Sequence, residues 1–297
     1  MDVGFIGVGI MGSRMVANLI KGGHRIWAYD ISPAALERAG VLGATPCGSL
    51  IEAAAGRDAV MLSLTTPEVV EQVMLGPQGV LMALPLPPLV VDTSTSLPAV
   101  SRRIAAAAIE KGCRFIDAPV SGGADGAAAG TLSVMVGGPV EAFESALPLL
   151  RQIGKDIFHI GDTGSGNTMK LVNNCLGGVA RAAIVETVMM GTLAGLDPKK
   201  IFDVVSVSTG NSRTFQNTMP KLLKGDFEPG FMITLMHKDL DLASRLGQEL
   251  GLPMPVVNAV KQVYQAAKAA GLGTKDVTGL AIPLERLMGV EIREKSC

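Results

Sequence analysis

The sequence predicts an α/β half built on a parallel sheet and an all-helical half, the two joined by a long helix. Three observations carry this reading. Short runs rich in Val, Ile and Leu alternate with helix-length segments through the first half of the chain. Those runs are nearly continuous in apolar residues rather than alternating with polar ones, as strands are when helices cover both faces of a sheet. After Gly161 no convincing strand follows, and helical periodicity takes over.

In order, residues 3–7, 25–30, 59–64, 89–93 and 114–117 read as strands, each followed within two residues by Gly, Ser, Thr or Pro. Helices are predicted after most of them, including 11–21 and 97–111. Two further strands, 132–136 and 157–160, flank a helix over 140–153. Asp162 or Thr163 is the expected N-cap of the long helix, which runs to about Ala194. Helices over 198–207, 233–250, 255–270 and 278–288 complete the chain, and the Pro-rich stretch 84–89 reads as a surface connection. The boundary between halves is expected between residues 162 and 163, giving domains 1–162 and 163–297.

Composition narrows the class. A chain of 297 residues suggests two domains, and 48% hydrophobic against 18% charged residues gives ample core and excludes a disordered chain. Lys and Arg (26) nearly balance Asp and Glu (27), so neither nucleic acid nor an anionic membrane is an expected partner. The longest apolar stretches are 79–91, broken by prolines, and 176–196, broken by Arg181 and Glu186; neither reads as a membrane span. The N-terminus runs from Asp2 straight into a strand, unlike a signal peptide, so a cytoplasmic protein is expected. Cys47, Cys113, Cys175 and Cys297 lie far apart, as do His24, His159 and His237. The expectation is reduced, mostly packing thiols and no metal.

The first chemical signal is Gly7-Val8-Gly9-Ile10-Met11-Gly12, a G-x-G-x-x-G turn between a strand and a helix. In such a turn Gly7 permits the tight bend, Gly9 lets the backbone approach a pyrophosphate, and Gly12 lets helix and strand pack closely. The unpaired N–H groups of the first helical turn then face the phosphates. Asp30 ends the second strand at the position where a carboxylate accepts from the ribose hydroxyls, which favours NAD over NADP. Arg25, the nearby base, begins that strand and belongs at the other edge of the sheet. Ligands of such sheets sit over the carboxyl ends of strands, which adds Leu64, Thr65 and Thr66 after one strand and Thr95 after the next, with plain helix capping as the competing explanation of the threonines.

A dinucleotide fold does not name a reaction. Lys170 does more: it sits in Met169-Lys170-Leu171-Val172-Asn173-Asn174, within a helix apolar on nearly every side. Helical spacing puts Asn174 on its face one turn later. An unpaired buried ammonium is costly, so this lysine is expected to face a cleft. Desolvation there would draw its pKa toward the working pH and fit it for general acid and base chemistry. The competing reading is a lysine snorkelling from an exposed stripe. Asp117-Ala118-Pro119-Val120-Ser121-Gly122-Gly123 follows another strand, and its hydroxyl and successive glycine N–H groups suit a carboxylate, unless it is a plain turn.

These segments, with Gly130-Thr131-Leu132, Gly161 to Asn174 and Lys238-Asp239-Leu240, resemble the β-hydroxyacid dehydrogenase family over nearly the whole chain. The resemblance implies a Rossmann domain joined by a long helix to an all-α domain. It also implies Lys170 as the catalytic lysine, Ser121, Gly122 and Gly123 on the substrate carboxylate, and Asn174 orienting the substrate. Lys238 would reach the cofactor and Thr95 the nicotinamide. The implied reaction interconverts a small β-hydroxy acid and its semialdehyde with NAD, and it needs no metal because the lysine handles the developing alkoxide charge. The apolar helical half, rich in Met and Ala, suggests surface for a partner subunit and so a homodimer or homotetramer. After Ser208-Thr209-Gly210 the chain reads Asn211-Ser212-Arg213-Thr214-Phe215. That segment is more similar to members acting on 2-(hydroxymethyl)glutarate than to those acting on 3-hydroxyisobutyrate or tartronate semialdehyde. Asn211 or Arg213 is therefore expected to meet a second polar or anionic group, although a solvated arginine fits the sequence equally. Reduction of tartronate semialdehyde or of sulfolactaldehyde is the alternative substrate reading. Imine reduction and a non-catalytic dinucleotide sensor are the rival functions, and the presence of Lys170 argues against both.

Overall fold

The computed structural model describes residues 1–294, and the chain divides into two compact units, Met1–Lys170 and Leu171–Cys297. The division falls inside the long helix, whose first turn is bound to the end of a strand through Asp117.

The first unit runs β1 (Asp2–Ile6), α1 (Ile10–Lys21), β2 (Arg25–Tyr29), α2 (Pro33–Val41), β3 (Thr45–Pro46), α3 (Leu50–Ala54), β4 (Ala59–Leu62) and α4 (Pro67–Leu75). It continues through β5 (Leu89–Asp92), α5 (Pro98–Glu110), β6 (Arg114–Asp117), β7 (Val120–Ser121), α6 (Gly123–Ala129), β8 (Leu132–Gly137), α7 (Val140–Ile153) and β9 (Gly154–Gly161). The strands form one sheet in the order β3-β2-β1-β4-β5-β6-β8-β7, with β9 paired to β8. Pairing is parallel from β3 to β6. The sheet is dominated by parallel pairs, as the apolar runs predict, and β8 runs antiparallel to its neighbours β6 and β7. There the chain turns back through β7, the short α6 and a left-handed Gly130 (φ 67°), a reversal rather than a crossover.

The apolar runs fill two cores, one on each face of this sheet. Val3, Phe5, Met61 and Val91 enter one, while Ile6, Val60, Leu62 and Val90 enter the other. Successive side chains of a strand point to opposite faces, so a strand buried on both sides must be apolar throughout. Gly4 interrupts β1 because α3 lies directly over it: a Cβ there would stand 2.4 Å from the carbonyl oxygen of Ala53.

The long helix α8 (Ser165–Leu193) leads into the second unit, followed by α9 (Pro198–Ser206), α10 (Arg213–Lys224), α11 (Ile233–Glu249), α12 (Pro255–Ala267) and α13 (Ala281–Met288). By length and composition alone α8 is apolar enough to cross a membrane. Yet Ile184, Val185, Val188 and Met189 pack into the core of the second unit with Phe215, Met219, Leu222 and Tyr264. Helix α10 escapes a reading by periodicity because Pro220 and several polar residues interrupt it. It nevertheless starts on Ser212, whose hydroxyl accepts from the Phe215 N–H at 3.0 Å, and buries Phe215, Met219, Leu222 and Leu223. The helix expected over 278–288 begins instead as a 3₁₀ turn, Val277–Leu280.

Cys47, Cys113 and Cys175 are free thiols. Burial is the main cause that pushes each of them up to about 11. Cys297 lies outside the described residues.

Candidate active site

The glycine turn has the three properties that its spacing demands. Gly7 has a φ of 91°, and a Cβ on it would meet the Ser63 carbonyl oxygen at 2.3 Å. A Cβ on Gly12 would lie 1.9 Å from the Gly7 oxygen, so α1 packs on β1 with no room for a side chain. Gly9 differs: a Cβ there would meet nothing within 4 Å. It caps α1 without any side-chain bond, and no acidic residue occupies the first turn. Open space above bare N–H groups at Ile10, Met11 and Gly12 is what a pyrophosphate requires, so these residues fit a dinucleotide.

Asp30 follows β2, and its carboxylate is fixed on both oxygens. One accepts the Val8 N–H and the other the Ser32 N–H, each at 2.8 Å. Each oxygen keeps lone-pair capacity for ribose hydroxyls. Among the residues after β4, the Leu64 N–H donates to the Ser94 hydroxyl at 2.8 Å. Thr65 is exposed, and Thr66 caps α4 by accepting from the Val69 N–H. Capping therefore accounts for the Thr66 hydroxyl. After β5, Asp92 accepts the Ser94 N–H at 2.9 Å, which shapes the turn carrying Thr95.

Lys170 lies on the second turn of α8 and is only 7% exposed. The sequence placed the cap of this helix on Asp162 or Thr163; the structure corrects this. The cap comes from Asp117 at the end of β6, whose two oxygens accept the Gly164 and Asn167 N–H groups, each at 2.7 Å. Asn167 continues the network: its side chain accepts the Ser96 N–H at 2.8 Å and donates to the Ser101 hydroxyl at 3.0 Å. The start of α8 thus belongs physically to the sheet. Asp117 also opens the segment that reaches Ser121, which pairs with Ser133 of β8. Gly122 (φ 138°) and Gly123 (φ 66°) follow in left-handed conformations, and the space above Gly123 is open.

In the second unit Asn174 is 7% exposed and donates to Asp239 at 2.5 Å. The other oxygen of Asp239 lies 3.0 Å from the Lys238 ammonium. Asn174 and Lys238, distant in sequence, are thereby joined through one buried carboxylate. Asn211 is committed locally, donating to the Ser206 carbonyl and accepting from Gln216, both at 2.8 Å. Arg213 is the exposed first residue of α10.

Residues 2–161 match the family described as the NAD binding domain of 6-phosphogluconate dehydrogenase. Residues 164–284 match that described as NAD-binding of NADP-dependent 3-hydroxyisobutyrate dehydrogenase. A 2-(hydroxymethyl)glutarate dehydrogenase of Eubacterium barkeri is 40% identical over 98% of this chain and 97% of its own length. A 3-hydroxyisobutyrate dehydrogenase of Pseudomonas aeruginosa is 38% identical over 89% and 91%. Among solved structures, that of Mycobacterium tuberculosis 3-hydroxyisobutyrate dehydrogenase with L-serine superposes with a TM-score of 0.86 at 33% identity, covering 95% of this chain and 98% of that one. The chain belongs to the β-hydroxyacid dehydrogenases, in the 3-hydroxyisobutyrate dehydrogenase-like family.

As a β-hydroxyacid dehydrogenase it acts on a hydroxyl donor and uses NAD or NADP. Two carboxylates that brace candidate residues, Asp239 and Asp117, were not singled out by the sequence. Asp239 was visible only as the middle of a motif, and its signal was an acid inside a helix that buries its neighbours Met236 and Leu240. Asp117 was visible only as the first letter of a turn. Burial is the main cause that pushes its carboxyl up to about 6, opposed by the two N–H donors and by the nearby Arg102 guanidinium. Among the described residues no three His, Cys, Asp or Glu side chains gather as metal ligands would.

Proposed function

We propose that this dehydrogenase prefers NAD and interconverts a small β-hydroxy acid of the 3-hydroxyisobutyrate or 2-(hydroxymethyl)glutarate type with its semialdehyde, using Lys170 as general acid and base. The observation that carries this reading is the burial of Lys170 on a helix whose first turn is bound to the same segment, Asp117 to Gly123, that ends in the open glycine turn. One segment thus serves both a proton-transferring amine and a carboxylate-binding backbone.

In oxidation the substrate carboxylate accepts from the Ser121 hydroxyl and from the Gly122 and Gly123 N–H groups. This leaves the β-hydroxyl directed at the Lys170 amine. The neutral amine takes the hydroxyl proton as the carbonyl forms; in reduction the ammonium polarises the carbonyl oxygen and returns the proton. The bound dinucleotide supplies the hydride acceptor or donor. Asn174, held by Asp239, orients the substrate. Asp30 supports the NAD preference, because a fixed carboxylate accepts from ribose hydroxyls and repels a phosphate. Arg213, an exposed cation at the start of α10, supports a substrate that carries a second anionic group. The exposed apolar residues Leu176 and Met190 of α8 support assembly as a homodimer or homotetramer.

The test is Lys170→Ala. Turnover of 3-hydroxyisobutyrate and 2-(hydroxymethyl)glutarate should fall by about 10²–10⁴-fold while NADH binds within twofold of wild type. A variant with near-normal turnover rules the assignment out.

A further inference from the structure

The network around Asn167 does more than end a helix. Asp117, Asn167, Ser96 and Ser101 are all fully or almost fully buried. Backbone packing at this point leaves no slack: a Cβ on Gly166 would stand 2.3 Å from the Met135 oxygen and 2.6 Å from the Asp117 oxygen. The Asn167 amide faces two ways. Its oxygen holds the Ser96 N–H, in the loop after β5 next to Thr95, and its nitrogen holds Ser101 on α5. Lys170 follows three residues later, roughly 4.5 Å along the helix axis and on a neighbouring position of the same face. A single buried amide therefore ties the turn that presents the lysine to the loop that carries Thr95.

We propose that Asn167, seated by Asp117, is a positioning residue for the reaction: it fixes the reach of the Lys170 amine relative to the loop Thr93 to Ser96. The inference rests on the reading of Lys170 as the acid and base. Helices are often capped by a local Ser, Thr or Asp, and such a cap would have held the helix without referring it to the β5 loop. The remote carboxylate and the two-way amide set both with respect to the sheet. Proton transfer is sensitive to displacements well below the width of an atom, so loosening this tie acts on the chemical step before it acts on binding.

The experiment is Asn167→Ala, which removes both side-chain bonds but keeps the backbone N–H that Asp117 accepts. The full-length enzyme is assayed with NAD and with 3-hydroxyisobutyrate or 2-(hydroxymethyl)glutarate, whichever the wild type turns over faster. In parallel, Lys170 is competitively acetylated with acetic anhydride across pH and quantified by mass spectrometry, a measurement that does not depend on turnover. We expect kcat to fall at least tenfold, KM for NAD to change less than twofold, and the pH midpoint of Lys170 acetylation to move by at least half a unit. Ser101→Ala removes one of the two bonds and should give a smaller change of the same sign; it replaces Asn167→Ala should that variant not fold. An unmoved acetylation midpoint overturns the inference, whether kcat is retained or lost, because a merely structural role leaves the amine's surroundings intact. Full activity in Lys170→Ala overturns the reading beneath it instead, so the two failures are distinct.

Discussion

Replacing Gly9 by alanine separates cofactor binding from folding. Gly9 has extended backbone, with φ −66° and ψ −154°, and its missing Cβ points into open space. Nothing in the protein therefore opposes the methyl group, and a glycine-to-alanine change of this kind stabilises by about 0.4–1 kcal/mol through the unfolded chain. In a chain of this size that is a rise of no more than about 3 °C. The same methyl group occupies the space through which a pyrophosphate approaches the N-terminus of α1. Losing one charge-assisted N–H bond there costs about 1.5–3 kcal/mol, or roughly ten- to a hundredfold in affinity. Titration of NADH by fluorescence and thermal melting of the apoprotein measure the two effects separately. Gly12→Ala is the contrast, since its Cβ would fall 1.9 Å from a backbone oxygen that cannot move aside; it should lose roughly 3 kcal/mol or more of stability. A Gly9→Ala protein that binds NADH within twofold of wild type, or that melts well below it, refutes the reasoning.

Asp117 makes a pH prediction. The folded protein holds its proton up to about 6, against an ordinary value of 3.8. The group therefore contributes stability that is fully present below its unfolded value and lost as pH rises through its folded value, at most about 3 kcal/mol. Arg102 is the charged group beside it, and Asp92 is its titratable neighbour on β5. In denaturant unfolding, the stability of wild type relative to Asp117→Asn should decline by up to about 3 kcal/mol between roughly pH 4 and pH 7, and a constant difference contradicts the assignment. Arg213→Ala should raise KM about tenfold or more for 2-(hydroxymethyl)glutarate, the effect of losing one charged contact, and leave 3-hydroxyisobutyrate within twofold. Equal losses for both acids would remove Arg213 from the pocket.

The parts legible in the sequence are those that local chemistry determines. β1, β4 and β5 announce themselves because a doubly covered strand has no polar face to hide. The glycine turn is legible because each glycine answers a separate steric demand within six residues. What stayed hidden is set by partners far along the chain. The cap on α8 lies 47 residues away from the N–H of Gly164, and no local rule for N-caps reaches that far. Asn174 meets Asp239 across 65 residues. The reversal of β8 depends on α6, whose Gly-Ala-Asp-Gly-Ala-Ala-Ala sequence has no apolar face strong enough to mark it. Thr66 and Asn211 each make a local bond that the sequence does not show, the first accepting from the Val69 N–H and the second donating to the Ser206 carbonyl.

The cysteines give this enzyme a pair of built-in gauges. With thiols held near about 11, roughly one in ten thousand is thiolate at neutral pH. Cys47 and Cys113 are also buried, so their alkylation by iodoacetamide must wait for the surrounding structure to breathe. Cys47 and Cys113 thus report on opening of the sheet, and Cys175, partly exposed on α8, labels without that wait and gives the reference rate from the same unmodified sample.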